Sequence, residues 1–214
     1  MLKNFLKVAI RNLKRDKVHS FINIAGLSVG MSVAIVIGLW VWDEWSFDRY
    51  NAHYDQIARV MQIAHVNGEV FTGTETPFPL AEVLRSKYGG GFTQVVKGYG
   101  GRPHVLAFGE KMLKQSGAYF EPGAPDLLDL TMLRGTRAGL KDPDAILLSA
   151  TIAKAYFGDA DPINKAMIID KEHTVRVTGV YKDLPANSEF AGTAYIGAWQ
   201  QLYDSWGLKD RKNP

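Results

Sequence analysis

Hydrophobic and polar positions divide the chain into a basic alternating head, one unbroken apolar run and a long mixed remainder. In residues 1–20, Leu2, Phe5, Leu6, Ala9, Ile10 and Leu13 recur at helical spacing, with Lys3, Lys7, Arg11 and Lys14 mostly on the other sides. That pattern predicts a basic amphipathic helix along a membrane surface, with a solvated basic arm as the alternative. Residues 21–42, FINIAGLSVGMSVAIVIGLWVW, hold 22 positions without a charge. As a helix rising about 1.5 Å per residue, this run is about 33 Å long, enough for a hydrocarbon core of about 30 Å. A buried core helix of that length normally carries a charge. A cleaved signal peptide has a shorter apolar region that ends at small residues, whereas this run ends in Trp40, Val41 and Trp42. The pattern is therefore that of an uncleaved transmembrane helix.

Within the run, Gly26, Gly30, Ala34 and Gly38 recur every four residues and form a small-residue stripe along which a partner helix can pack closely. Trp40, Trp42 and Trp45 stand at its C-terminal boundary, where an indole keeps its ring among headgroups and its N–H in water, making them candidate interfacial anchors in lipid.

Beyond residue 43 no second run is long enough to span. Residues 58–66 predict a strand, Asn67-Gly68 a two-residue hairpin turn, and 69–74 the returning strand. Pro77 and Pro79 open a short helix over 79–88 with Leu80, Val83 and Leu84 inward, ended by Gly89, Gly90 and Gly91. Strands are expected at 93–99 and 104–108, separated by Gly100-Gly101, with Gly109-Glu110 turning into 111–116. A helical turn at 125–133 and a buried strand at 145–148 follow. Ser149 caps a helix at 150–157 that Gly158 stops, and 166–170 with 173–181 make a hairpin around Lys171-Glu172. The fold class expected is α+β: one N-terminal transmembrane helix, then a mixed α+β extracytoplasmic domain over residues 43–214.

Charge sets the orientation. Residues 1–20 carry +5 and the remainder −2, within a net charge of +3. Asp43, Glu44 and Asp48 follow the apolar run before the first basic residue, Arg49. The positive-inside rule then places residues 1–20 in the cytoplasm and residue 43 onward outside. A body at −2 without a basic aromatic face gives no reason to expect nucleic acid as a partner.

Candidate chemistry is sparse. The chain has no Cys, which excludes disulfides, cysteine metal sites and thiol catalysis. Its five His, at 19, 53, 65, 104 and 173, show no i, i+4 pair. No P-loop occurs, and the GxSxG string at 26–30 lies inside the apolar run rather than on a strand-to-helix turn. Glycines 89, 90, 91, 98, 100 and 101 lack the strand–GxGxxG–helix context and read as turns rather than a phosphate cradle, although Lys97 and Arg102 lie nearby. Asp142, Asp144, Asp159 and Asp161 neighbour Pro, Gly or cap positions, so turn chemistry explains them. No catalytic residue, cofactor or metal is expected.

The start, MLKNFLKVAIRNLKRDKVHSFINIAGLSVGMS, resembles the first segment of MacB-type (FtsX-like) permeases of ABC transporters. So do residues 43–50, DEWSFDRY, and 57–60, IARV. Similar blocks continue in order at 76–81, 141–149, 153–158 and 161–163, then at 177–180 and at 183–188, DLPANS. Asn164 stands where relatives usually carry Gly, and Gly89-Gly90-Gly91 replaces a Pro-acid pair. The resemblance implies a transport subunit rather than an enzyme. It implies a cytoplasmic ABC ATPase as partner, and a second permease copy or homologous permease as the other half of a dimer. Further membrane helices follow the outer domain in that family, so the chain reads as the N-terminal part of a permease. A membrane-tethered domain that senses or binds on its own is the competing reading.

Overall fold

The computed structural model describes residues 14–205, together with 4, 7, 8 and 11. The amphipathic helix expected over 1–20 rests on Leu2, Phe5, Leu6, Ala9, Ile10 and Leu13, which lie outside the described residues. The chain falls into two compact units, Met1–Phe47 and Asp48–Pro214.

The first unit holds helix α1, Lys17–Trp45, which extends the apolar run by four residues before it and three after. No proline interrupts the run and its glycines are single, so every backbone N–H can stay within the helix. Its end is closed by the Ser46 N–H, which donates to the Trp42 carbonyl at 3.0 Å, and by the Phe47 N–H, which donates to the Glu44 carbonyl at 3.3 Å. The Ser32 hydroxyl donates to the Ser28 carbonyl at 2.7 Å, so this polar group inside the span is satisfied within the helix.

The second unit begins with a separate two-stranded sheet, β1 (Gln62–Val66) and β2 (Glu69–Gly73). Asn67 and Gly68, at φ 53° and 86°, make the expected turn. Helix α2 (Leu80–Tyr88) follows; it buries Ala81 and leaves Val83 exposed, against the inward placement expected for Val83. The main sheet contains β3 (Gly98–Phe108), β4 (Lys111–Phe120), β5 (Met132–Gly135), β6 (Ala145–Ser149), β7 (Ala166–Ile169), β8 (His173–Tyr181) and β9 (Tyr195–Ala198). Helices α3 (Ala124–Leu127), α4 (Ala150–Phe157) and α5 (Trp199–Ser205) complete it.

Strand order is β5-β8-β6-β9-β4-β3-β7, and β7 also pairs with β8. Six strands therefore close into a ring, with β5 occupying the remaining edge of β8 end to end with β7. β6 pairs parallel with β8 and antiparallel with β9.

Side-chain alternation sorts the core into two clusters. Ile146, Leu148, Met167, Val175, Tyr119 and Tyr195 pack with Ile152 and Tyr156 of α4. Leu147, Ile196 and Ala198 face the other way and pack with Leu128, Leu130, Leu140 and Tyr181. The Ser149 hydroxyl accepts from the Ile152 N–H at the start of α4, and Gly158 ends it at φ 60°, both as expected. Lys111 caps the far end, its ammonium donating to the carbonyls of Ala155 and Tyr156 at 3.1 and 3.3 Å.

Several expected elements are corrected. The strand expected at 58–66 starts at Gln62. Residues 93–97 are not strand, and Gly100-Gly101 does not interrupt the strand that follows. The Gly100/Arg102 register shift is a bulge inside a continuous β3, with Gly101 at φ 88° supplying the extra residue. β4 continues to Phe120 rather than stopping at 116. The helical turn at 125–133 is shorter, and Met132–Gly135 is a strand. Strand β9 and helix α5 were not expected.

Candidate functional site

Along α1, Gly26, Gly30, Ala34 and Gly38 lie on an exposed surface, and a Cβ built on Gly26, Gly30 or Gly38 meets nothing within 4 Å. Steps of four residues advance by about 40° beyond a full turn, so the stripe winds gradually around the helix. A helix that follows it must cross at an angle, as right-handed small-residue crossings do at about −40°. Trp40, Trp42 and Trp45 are each about two-thirds exposed. Their spacing distributes them around the circumference as a belt rather than a single face.

The second unit receives the chain at Asp48, and residues 48–51 are pinned to distant loops. The Asp48 N–H donates to the Asn187 carbonyl at 3.0 Å, and its carboxylate accepts from the Glu189 N–H at 2.9 Å. Asp48 takes a left-handed φ of 57°, which aims both groups at the 187–189 loop. Asn51 is buried, at 5% exposure. Its side-chain N–H donates to the Leu127 carbonyl at the end of α3, and its side-chain oxygen accepts from the His53 N–H, both at 2.8 Å. Arg59 adds an ion pair to Glu189. Burial raises the Asp48 carboxyl above the usual range. Burial, with Asp48 and Asp129 nearby, pushes the Tyr50 phenol up to about 12.

The loop on the other side of this junction is itself anchored. The Ser188 hydroxyl donates to the Pro185 carbonyl at 2.7 Å. Asp183 accepts from the Thr151 hydroxyl at 2.8 Å and from the Thr151 N–H at 3.2 Å, at the start of α4. Burial works against the Asp183 charge, but hydrogen bonds from Thr151 and Ser149 outweigh it and hold the carboxyl below its usual range. The junction thus joins residues 48–51 to the first turn of α4 through the segment 183–189. Two blocks read separately in the sequence, 43–50 and 183–188, meet here; neither spacing nor composition signalled the contact.

Elsewhere the geometry bears on the other candidate residues. Among the described residues no group of three or more His, Asp or Glu converges as metal ligands. Gly89–Gly91 form a short 3-10 turn, while Gly98, Gly100 and Gly101 lie within β3. The Lys97 ammonium bonds to Glu82, lies 3.5 Å from Glu121 and sits 5.5 Å over the Trp199 ring. The Arg102 guanidinium sits 5.9 Å over Tyr99. Asp142 accepts from the Asp144 N–H at 3.1 Å, and Asp161 from the Ile163 N–H at 3.2 Å, as turn residues do. His104 pairs with Asp170 at 2.6 Å and stands edge-on to Tyr119, a pairing no sequence spacing indicated.

A protein family described as MacB-like periplasmic core domain matches residues 20–211. Comparison with curated proteins returns no match. Among solved structures, the periplasmic region of MacB from Actinobacillus actinomycetemcomitans is 18% identical at TM-score 0.46, covering 63% of this chain and 57% of that one. A permease-protein domain from Porphyromonas gingivalis is 17% identical at TM-score 0.52, covering 61% and 56%. The extracellular domain of the noncanonic ABC-type transporter YknZ from Gram-positive bacteria is 20% identical at TM-score 0.48, covering 59% and 64%. The chain thus spans between 56% and 64% of the length of these structures. At such identities the Porphyromonas gingivalis domain shows a shared fold.

Proposed function

This chain belongs to the MacB-like periplasmic core domain family, and from that premise we propose that it is the N-terminal part of an ABC transporter permease. Residues 1–20 lie in the cytoplasm beside a partner ATPase, residues 21–42 cross the membrane, and residues 43–214 form the domain outside. The Lys/Arg excess of the first 20 residues supports this orientation. The stripe Gly26, Gly30, Ala34 and Gly38 packs against a membrane helix of a second copy or a homologous permease. Trp40, Trp42 and Trp45 anchor the outer end in lipid headgroups.

ATP hydrolysis by the partner moves the membrane helices, and α1 passes its movement to the domain through the chain at residues 46–48. The chain supplies transmission rather than a reaction centre. The observation that carries this reading is the pinning of Asp48 and Asn51 by four hydrogen bonds, three of them to residues 76 or more positions away. A pull on the chain at residue 48 is therefore delivered to the 187–189 loop and to the end of α3, not dissipated in a slack linker.

Because the chain lacks Cys, single cysteines report topology cleanly. Glu110→Cys is expected to react with a membrane-impermeant maleimide in intact cells, and Asn4→Cys only after lysis. The reverse pattern overturns the orientation. A tagged chain is expected to co-purify an ABC ATPase from membranes; correct labelling without any such ATPase overturns the transport reading.

A further inference from the structure

The β1–β2 hairpin is a sheet of two strands, separate from the main sheet. None of the five residues of β1 or the five of β2 is buried. Among the described residues no hydrogen bond or ion pair links 62–73 to the rest of the chain. A two-stranded sheet by itself is marginally stable in water. Its register pairs therefore open at the low end of the free-energy range for local unfolding. At its tip stand Asn67 and Gly68, both exposed, at φ 53° and 86°. A Cβ built on Gly68 would meet nothing within 4 Å, and the Gly68 N–H has no acceptor among the described residues. This is the one place in the sequence where Asn precedes Gly; every other Asn is followed by a residue with a Cβ.

We propose that Asn67 is a site of spontaneous covalent modification, where attack by the Gly68 backbone nitrogen expels the side-chain amide and turns the hairpin tip into isoaspartate. The Gly68 nitrogen gives up its proton and forms a bond to Asn67 Cγ. The Cγ–Nδ2 bond breaks, Nδ2 takes up a proton and leaves as ammonia, and a five-membered imide remains. Water then opens the imide. Addition at the Asn67 backbone carbonyl breaks the original peptide C–N bond and routes the chain through Cγ, which gives isoaspartate; addition at Cγ gives aspartate. One water is consumed and one ammonia released, with no change of oxidation state. Glycine favours the attack because no Cβ obstructs the approach of its nitrogen.

Ring closure turns Asn67 out of its left-handed conformation, so the reacting species is the opened hairpin, and the weak pairing of β1 with β2 is what exposes it. Other asparagines of the domain lack that freedom. Asn51 is 5% exposed and its amide is held by the Leu127 carbonyl. The Asn187 carbonyl accepts from the Asp48 N–H at 3.0 Å, and Ser188 beside it is 4% exposed. Isoaspartate adds a backbone carbon between positions 67 and 68 and leaves a carboxylate next to Glu69. The two-residue turn that matches the strand twist is then lost, and with it the pairing of Val66 with Glu69. The main sheet shares no strand with the hairpin and keeps its register. The altered tip is a substrate for a methyltransferase that esterifies isoaspartyl carboxylates. None of this depends on the transport reading or on orientation in the membrane.

The test incubates the full chain in detergent at mildly alkaline pH beside a synthetic peptide of residues 65–70, which is too short to form the hairpin. Mass spectrometry reads the change from amide to acid at Asn67. Transfer of a labelled methyl group from S-adenosylmethionine by an isoaspartate-specific methyltransferase reads the iso form. Asn67 in the chain is expected to convert at about one tenth of the peptide's rate or faster, as a marginal hairpin allows, with methyl acceptance rising in step. Gly68→Ala is expected to slow conversion about tenfold or more in chain and peptide alike. The peptide keeps that readout independent of any strain the substitution places on the turn. Asn51 and Asn187 are expected to stay unmodified over the same period. A rate in the chain below that tenth means that the folded turn guards the amide, and overturns the proposal. So does conversion undiminished by Gly68→Ala, conversion at Asn187 as fast as at Asn67, or methyl acceptance that stays flat while Asn67 converts.

Discussion

Replacing Asn51 with alanine tests the junction directly. The side chain makes two hydrogen bonds of 2.8 Å, to the Leu127 carbonyl and from the His53 N–H. Leu127 ends α3, where a carbonyl has no partner within its own helix. With Asn51 only 5% exposed, water does not readily replace the lost amide. An orphaned buried acceptor costs about 1–3 kcal/mol, while the His53 N–H, on an exposed residue, regains water at little cost. The expected loss is about 2 kcal/mol. Asn51→Asp keeps the acceptor for His53 but faces a carboxylate toward the Leu127 carbonyl, so it is expected to lose more. Urea unfolding of the unit Asp48–Pro214 reads both. With a slope of about 2 kcal/mol per molar, Asn51→Ala should move the midpoint down by about 1 M. A shift below about 0.2 M, or an Asn51→Asp variant as stable as the wild type, would refute the reasoning.

Gly30→Leu is expected to weaken membrane-helix association by about 1 kcal/mol or more, and Val33→Leu, off the stripe, by less; equal effects in a membrane association assay sink the stripe as an interface. Asp183, held below the usual carboxylate range, contributes stability above that range and loses it as pH falls through its own lowered value. Asp183→Asn should therefore flatten the fall in stability with acid, and an unchanged acid limb in pH-dependent unfolding counts against the cap on α4. A Cβ on Gly117 would clash with the Tyr195 ring. Gly117→Ala should accordingly destabilise the unit by about 3 kcal/mol, as overpacking of a tight core does, and near-wild-type thermal unfolding would contradict the packing of Tyr195.

Elements with local signals were legible in the sequence. The 22-residue run, Asn67-Gly68 and the Ser149…Gly158 bracket each carry their own start and stop, and α1, the β1–β2 turn and α4 follow them. Strand β9 has no such signal: four residues, Tyr-Ile-Gly-Ala, are too short to show a period, and they are strand because β4 and β6 flank them. β5 is equally short and exists as the partner of the end of β8. Gly100-Gly101 looks like a break because glycine is read locally, whereas the ten pairs with β4 hold the strand together through a bulge. The junction failed for a different reason. Asp48 and Asn51 are ordinary polar residues after a helix, and their partners at 187–189 and 127 are known only once the chain has folded.

The bond between Asp48 and Glu189 spans 141 positions, and that distance sets an order of events during synthesis. At about 5–20 residues per second, roughly 7 to 28 s separate the appearance of Asp48 from that of its partner. The helix is complete as a unit before that interval begins. The newborn domain must wait through it with its first residues unclasped and β1–β2 made early. The Asp48 clasp closes only after residue 189 has been produced. A ribosome that stalls before residue 187 would leave Asp48 without the Asn187 carbonyl and the Glu189 N–H, while the earlier Asn51–Leu127 bond can already form.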